Sequence, residues 1–309
     1  MHTTTGFRHE ALLYAGMDGF LDATLPFIEE AVAAGEPTLV VVNEEKIELL
    51  RSHLGRDSGA VCFLDMAWVG RNPACIIPAW GDFLAEHATS GRHMRGIGEP
   101  VWAGRDEAEL AECQRHESLL NVAFGEGPAW WLLCPYDVDT LPADVVRAAE
   151  RSHPFVVEGE QRRASAAHAA TKADDPFAGT LPEPVVPVAE RPFARGPLNA
   201  LRRFVVDQAV AAGLDRVRTE DLVLAVTEAA SNSLRHGGGQ GTLRVWWDDR
   251  ALVCEIRDHG RITHPLAGRE RPSDERVGGR GLWLVNHLCD LVQVRSSALG
   301  TILRLHMRL

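Results

Sequence analysis

Glu228, Asn232 and His236 follow one another at intervals of four residues. At 3.6 residues per turn this puts a carboxylate, a carboxamide and an imidazole on one helix face. A carboxylate held on a rigid element can take a proton from a hydroxyl, and a carboxamide oxygen suits a hard cation that keeps several waters. Leu222, Val223, Val226, Ala230, Ser233 and Leu234 turn the other way and are expected in a core. Thr219 is the expected N-cap, with Glu220 and Asp221 in the first turn, and Gly237 to Gly239 the expected stop. Further on, a predicted strand from Leu252 to Ile256 runs into Asp258, His259 and Gly260. A glycine-rich run from Gly278 to Leu282 opens another helix, and a last strand follows Gly300 and Thr301. Glycines let backbone N–H groups approach phosphate oxygens, and the helix N-terminus that follows favours an anion.

Each signal is weak alone. Asp-x-Gly after a strand is ordinarily a turn, and polar residues at helical spacing are ordinarily a solvated face. Their order carries the weight: helix with Glu and Asn, strand ending in Asp-x-Gly, glycine-rich loop opening a helix, final strand after Gly-Thr.

This order resembles the GHKL ATPase superfamily, which includes histidine-kinase catalytic domains and the anti-sigma-factor serine kinases, over roughly residues 185–309. The span from Glu228 to His236 corresponds to its N box, Asp258 to Gly260 to the G1 box, Gly278 to Leu282 to the G2 box, and Gly300-Thr301 to the G3 position. The bacterial anti-sigma kinases are the nearer likeness, because their N box also has a Glu four residues ahead of the Asn. The resemblance implies ATP and Mg²⁺ as cofactors. Asn232 would ligate Mg²⁺, Glu228 would be the general base, and Asp258 would accept from the adenine amino group. Gly279, Arg280 and Gly281 would line the phosphates, with Gly260, Gly278, Leu282 and Thr301 completing the nucleotide-binding set. The family's G1 box often has a second glycine, where this chain has Ile262.

Other nucleotide sites are excluded by lysine usage. Lys46 and Lys172 are the only lysines, so there is no phosphate-loop Gly-x-x-x-x-Gly-Lys-[Ser/Thr] motif. Phosphate binding must use backbone N–H groups and arginine. The 18 basic residues of 185–309 are all arginine and outnumber its 14 acidic ones, which suits a polyphosphate. The net charge of −11 for the whole chain argues against nucleic acid as a partner.

With 309 residues, two domains are expected. Residues 1–160 form the first, 161–184 a small, polar, aperiodic linker, and 185–309 the second. No apolar run approaches twenty residues and the N-terminus is polar, so a cytoplasmic protein with no membrane partner is expected. The six cysteines lack Cys-x-x-Cys spacing and read as buried free thiols.

The first half alternates apolar runs at 38–42, 61–64, 94–101 and 130–133 with helical patterns at 19–34, 78–90, 106–124 and 142–151. That alternation predicts an α/β domain whose mostly parallel sheet carries RecA/Rossmann-like helical layers, followed by an α+β sandwich of the GHKL (Bergerat) type. Ligands on such parallel sheets sit at the carboxyl ends of strands, here around Tyr14–Gly19, Asn43–Glu44, Asp65–Trp68 and Cys134–Asp137. His9 to Tyr14, Arg115 to Glu117 with Asn121, and Leu133 to Asp137 resemble the MEDS-type sensory domain. No metal-ligand spacing occurs there; His9, His116 and Tyr136 are pocket candidates that are more often core or surface residues.

Two readings of function stay open. In one, the chain is an anti-sigma regulator that binds a sigma factor and phosphorylates a serine or threonine of an antagonist protein, under control of a small-molecule or protein signal at its first domain. In the other it is an ATP-dependent sensing module that transfers no phosphate. A histidine kinase is the weakest reading, because the segment before Arg191 is proline-rich and His168 lies in too short a stretch for a dimerisation hairpin. Monomer and homodimer are both compatible with the sequence.

Overall fold

The computed structural model describes residues 6–170, 177–272 and 279–309. The chain divides into two compact units, Met1–Asp174 and Asp175–Leu309.

The first unit runs β1 (Phe7–Tyr14), α1 (Gly16–Ala34), β2 (Thr38–Val42), α2 (Glu44–Leu54), β3 (Val61–Asp65), α3 (Met66–Val69), α4 (Ile76–His87), β4 (Met94–Gly98), α5 (Glu107–Phe124), β5 (Trp130–Asp137), α6 (Ala143–Ser152), β6 (Phe155–Glu158), β7 (Gln161–Ala164) and α7 (Ala166–Ala170). Its sheet has the order β3-β2-β4-β5-β1-β6-β7, parallel throughout except for the antiparallel β6–β7 pair. All five residues of β2 are buried, so both faces of the sheet are covered, and such strands read as continuous Val/Leu runs. Leu12, Tyr14, Val40 and Val42 pack with Phe20, Phe27 and Ile28 of α1 and Ile47 and Leu50 of α2 on one face. Phe7 and Trp130 meet Phe124 of α5 on the other.

Residues 161–164, expected within the linker, are part of this sheet. β7 is exposed along its length, so it has no hydrophobic period to read. It is tied instead by Arg162, whose Nε donates to buried Glu10 at 2.8 Å while the guanidinium covers the Phe155 ring at 3.7 Å. At the other end of the expected linker, Phe177 and Leu181 are buried, and the Phe177 carbonyl accepts from Ser296 N in the second unit. Lys172 lies outside the described residues. Among the cysteines all six are free, but Cys62, expected to be buried, is exposed because its strand is the sheet edge.

The second unit runs β8 (Ala189–Ala194), α8 (Asn199–Ala211), α9 (Arg216–His236), β9 (Gln240–Trp247), β10 (Ala251–Asp258), α10 (Arg280–Leu288), β11 (Leu291–Ser297) and β12 (Gly300–Arg308). The sheet order is β11-β12-β10-β9-β8, every pair antiparallel. Pro192 is tolerated in β8 because that strand is an edge. One sheet face, including Leu243, Val245, Cys254, Ile256, Leu303 and Leu305, packs under α8, α9 and α10. Helix α9 begins a turn earlier than expected: Asp215, not Thr219, is the N-cap, its carboxylate accepting from Arg218 N at 3.0 Å. Thr219 is already inside the helix, bonding through its N–H to the Asp215 carbonyl.

The opposite sheet face centres on one carboxylate. Glu255 is fully buried and accepts from Arg304 at 2.6 Å, Arg244 at 2.7 Å and Arg257 at 2.7 Å. Burial pushes its carboxyl up, but the bonds from these arginines, Arg304 first, hold it below the ordinary glutamate range. Its contribution to stability is therefore complete above the unfolded value of about 4.3 and is lost as pH falls toward the lower folded value. Glu255→Gln strands buried guanidinium charge and is expected to cost about 3 kcal/mol, the low end for a broken buried pair because water reaches Arg257. Amide hydrogen exchange in β9, β10 and β12 measures that loss.

Candidate nucleotide site

The four sequence motifs come together in the second unit. Glu228 and Asn232, half-buried on α9, face the first turn of α10. A Cβ placed on Gly281 would come within 2.9 Å of Asn232 Nδ2 and 3.2 Å of Glu228 Oε2. Gly281 therefore has to be glycine if both side chains keep their places. Gly279 caps α10 with φ +83°, a left-handed conformation natural to glycine, and open space stands where its side chain would be. Arg280 opens the helix and is exposed; Leu282 follows and packs against the core. Gly278 lies outside the described residues. His236, the third member of the expected polar face, is exposed.

Asp258 ends β10 opposite Thr301 of β12. Its Oδ1 accepts from Gly260 N at 2.7 Å, and its Oδ2 accepts from Ser233 Oγ at 2.5 Å. Thr301 Oγ1 donates to the Gly260 carbonyl at 2.9 Å and meets Ser296 Oγ at 2.8 Å. The same Ser296 oxygen accepts from Ile262 N at 2.9 Å, so the loop after Asp258 is fixed by hydroxyls where a second glycine is lacking. Each Asp258 oxygen has a second lone pair that could accept from an exocyclic amine.

Sequence reasoning missed three participants. Ser233 was expected simply as core; it is buried, but its hydroxyl reaches Asp258, and a serine among apolar neighbours was the available signal. Arg235 Nη2 donates to Asn232 Oδ1 at 2.9 Å, a contact between residues three apart on one helix. Ser296 was invisible because its role depends on the β11–β12 pairing.

A cleft of about 1130 Å³ in the unit shares Asp258 and Thr301 with this cluster but is otherwise lined by residues such as Phe177, Phe193, Thr242, Arg257, Arg295 and Ile302, not by Glu228, Asn232 or Gly281. Chemistry favours the Glu228–Asn232–Gly281 corner over that larger volume, since it combines a carboxylate, a carboxamide and a helix N-terminus.

In the first unit the carboxyl ends of β1, β2, β4 and β5 surround a cavity of about 240 Å³ lined by Tyr14, Gly16, Asn43, Lys46, Glu99 and Asp137, among others. Three of the four expected strand ends contribute; the Asp65–Trp68 end, on the edge strand, does not. Lys46, which the sequence offered only as one of two lysines, is buried with Nζ 2.6 Å from Glu99 Oε2 and 2.6 Å from the Tyr14 hydroxyl. Burial pushes the Glu99 carboxyl above its usual range, with Lys46 opposing. His9, His116 and Tyr136 are buried and do not line this cavity.

Ser233→Ala removes a donor to the Asp258 carboxylate and is expected to destabilise the α9–β10 junction by about 1.5–3 kcal/mol. Hydrogen exchange at Asp258 to Gly260 and in the last turn of α9 reads it.

Residues 8–154 match the family model described as MEDS, the MEthanogen/methylotroph, DcmR sensory domain, and residues 194–307 match the histidine kinase-like ATPase domain. No curated protein sequence matches the chain. Among solved structures, the RsbU and RsbW domains of Rv1364c from Mycobacterium tuberculosis are similar at 18% identity with a TM-score of 0.31, over 66% of this chain and 49% of that one. The chain thus spans about half the length of that neighbour. No helix among the described residues is both long and apolar enough to cross a membrane. With both sequence resemblances matched by family models, the chain joins a MEDS domain to a histidine kinase-like ATPase domain.

Proposed function

We propose that the second unit, read as a GHKL sandwich, binds Mg-ATP, and that the chain is an anti-sigma regulator which phosphorylates a serine or threonine of an antagonist protein. The first unit, read as a RecA/Rossmann-like sensory module, would adjust the balance between that antagonist and a sigma factor in the cytoplasm. The observation that carries this reading is the meeting of Glu228 and Asn232 with Gly281, since a carboxylate base, a carboxamide and a glycine-opened helix converge from distant parts of the chain.

The residues suit the group. Asp258, fixed by Ser233 and Gly260, offers a rigid acceptor for an adenine amine. Gly260 and Thr301 hold that acceptor's loop. Gly279, Arg280, Gly281 and Leu282 present a helix N-terminus and an arginine for phosphate oxygens, and Gly278 belongs to the same proposed set. Asn232 would be the Mg²⁺ ligand, with waters and phosphate oxygens filling the remaining positions. Bound Mg-ATP supplies the phosphoryl group; Glu228 accepts the proton of the acceptor hydroxyl. One contact favours the rival reading, an ATP-gated binding module: Arg235 donates to Asn232 Oδ1, the atom a metal would take.

ATP at a hundredfold over its dissociation constant should stabilise a 175–309 fragment by about 2.7 kcal/mol; a folded fragment with no ATP-dependent thermal shift would remove the nucleotide assignment. Asp258→Ala is expected to weaken ATP by about 1–3 kcal/mol, measured by calorimetric titration. Glu228→Gln keeps shape but cannot accept a proton, so phosphotransfer to a co-purified antagonist should fall about 10²- to 10⁴-fold with ATP affinity nearly unchanged. Asn232→Ala should lose both. Equal transfer by wild type and Glu228→Gln makes the carboxylate structural, and transfer by neither supports the binding module.

A further inference from the structure

Four side chains from separate parts of the first unit meet in its interior: His9 on β1, Glu117 on α5, Cys134 on β5 and His153 just beyond α6. None is more than 2% exposed, and their ligand-capable atoms all lie within 4.8 Å of one another. Glu117 Oε2 stands 3.2 Å from Nε2 of both His9 and His153, and Cys134 Sγ stands 3.4 Å from His9 Nε2.

The outer partners fix the protons. His153 Nδ1 lies 2.8 Å from the Ala149 carbonyl, which can only accept, so this nitrogen carries a hydrogen. Asn121 Nδ2 donates to the Ser152 carbonyl at 2.7 Å, which orients the amide and turns its Oδ1 to His9 Nδ1 at 3.1 Å. His9 Nδ1 is therefore a donor as well. Its other nitrogen, Nε2, faces the centre of the cluster, 3.2 Å from Glu117 Oε2 and 3.4 Å from Cys134 Sγ. Both imidazoles address the same carboxylate oxygen, Glu117 Oε2. The His153 Nε2 to Glu117 contact lacks hydrogen-bond geometry, and Glu117 Oε1, also buried, accepts no hydrogen bond among the described residues. One cation at the centre satisfies all of these groups at once.

We propose that this cluster binds a single divalent transition-metal ion, Zn²⁺ foremost, pinning β1, β5, α5 and the segment after α6 together. Two imidazoles, a thiolate and a carboxylate form a tetrahedral donor set of the borderline softness zinc favours over Mg²⁺ or Ca²⁺. Arms of 2.0–2.3 Å around a tetrahedral ion separate N and O donors by about 3.3 Å and N and S donors by about 3.6 Å. The observed 3.2 and 3.4 Å lie within a few tenths of an ångström of these separations, and the remaining pairs, at most 4.8 Å apart, would have to close further around the ion. Asn121 and the Ala149 carbonyl already play the part of the oxygen acceptors that orient metal-bound histidines. The proposal stands independently of the nucleotide reading of the second unit.

The test uses the full chain, purified without a metal-affinity step, stripped with a chelator and titrated with Zn²⁺ or Co²⁺. One equivalent of Zn²⁺ per chain is expected by mass spectrometry, and the Co²⁺ form should show intense tetrahedral d–d bands with a thiolate-to-cobalt charge-transfer band. Cys134→Ser should abolish the charge-transfer band, while Cys62→Ser, an exposed thiol on β3, retains it. His9→Gln is expected to weaken Zn²⁺ at least tenfold, and Asn121→Ala, which only orients His9, about 10- to 100-fold. Wild-type protein that is folded by circular dichroism yet takes up neither metal overturns the proposal. A charge-transfer band that survives Cys134→Ser in a folded variant overturns it too. Should a variant fail to fold, the wild-type cobalt spectrum alone still decides.

Discussion

Asp258 is gripped from two directions, and the candidate nucleotide site depends on that grip. Ser233 Oγ takes one oxygen from the helix side and Gly260 N the other from its own loop, while the β12 register puts Thr301 alongside. The space around it is tight enough that Gly237, Gly260 and Gly300 all press on the Asp258 neighbourhood, and a side chain at any of them would collide with backbone or carboxylate. Close approach, more than loop flexibility, is thus what glycine supplies here. A carboxylate fixed this way needs no reorganisation to accept a hydrogen bond, which is the physical content of a pre-formed recognition point.

The two faces of the second sheet divide the work. Under the helices the contacts are apolar, from Leu243 through Ile256 to Leu305, and they set the spacing between α9, α10 and the strands. On the other face Glu255 gathers Arg244, Arg257 and Arg304 into a network reaching Glu183 at 2.6 Å from Arg257. Such a network stabilises only while every member is paired, so it fixes the register of β9, β10 and β12 and ties down the proline-rich lead-in.

In the first unit the interior strand β1 carries polar groups where apolar ones would be expected. Glu10 is fully buried and is met by Arg8 and Arg162, and Tyr14 joins Lys46 and Glu99 at the carboxyl end. Buried charges persist in a core only when paired, so these positions give up apolar packing for specific partners. On β1 these groups can meet partners from several elements, since that strand lies between β5 and β6 and touches α1 and α5.

The sequence by itself determined the elements and the order of motifs. Strand and helix periods placed β2, β3 and α5 near their observed bounds, and the Asp-x-Gly and glycine-run signals found the end of β10 and the start of α10. These features are local: burial on one face sets a period, and glycine marks where a chain must turn or approach closely. Tertiary structure alone decided what depends on pairing across long separations. It moved the α9 cap to Asp215, placed β7 in the first sheet with no hydrophobic period to announce it, and brought Ser233 and Ser296 to Asp258 and Thr301. The cluster of His9, Glu117, Cys134 and His153 shows the limit most plainly. Metal-ligand spacing is legible when ligands share a turn or a helix face, but here each comes from a different element, and only the packed sheet makes them neighbours.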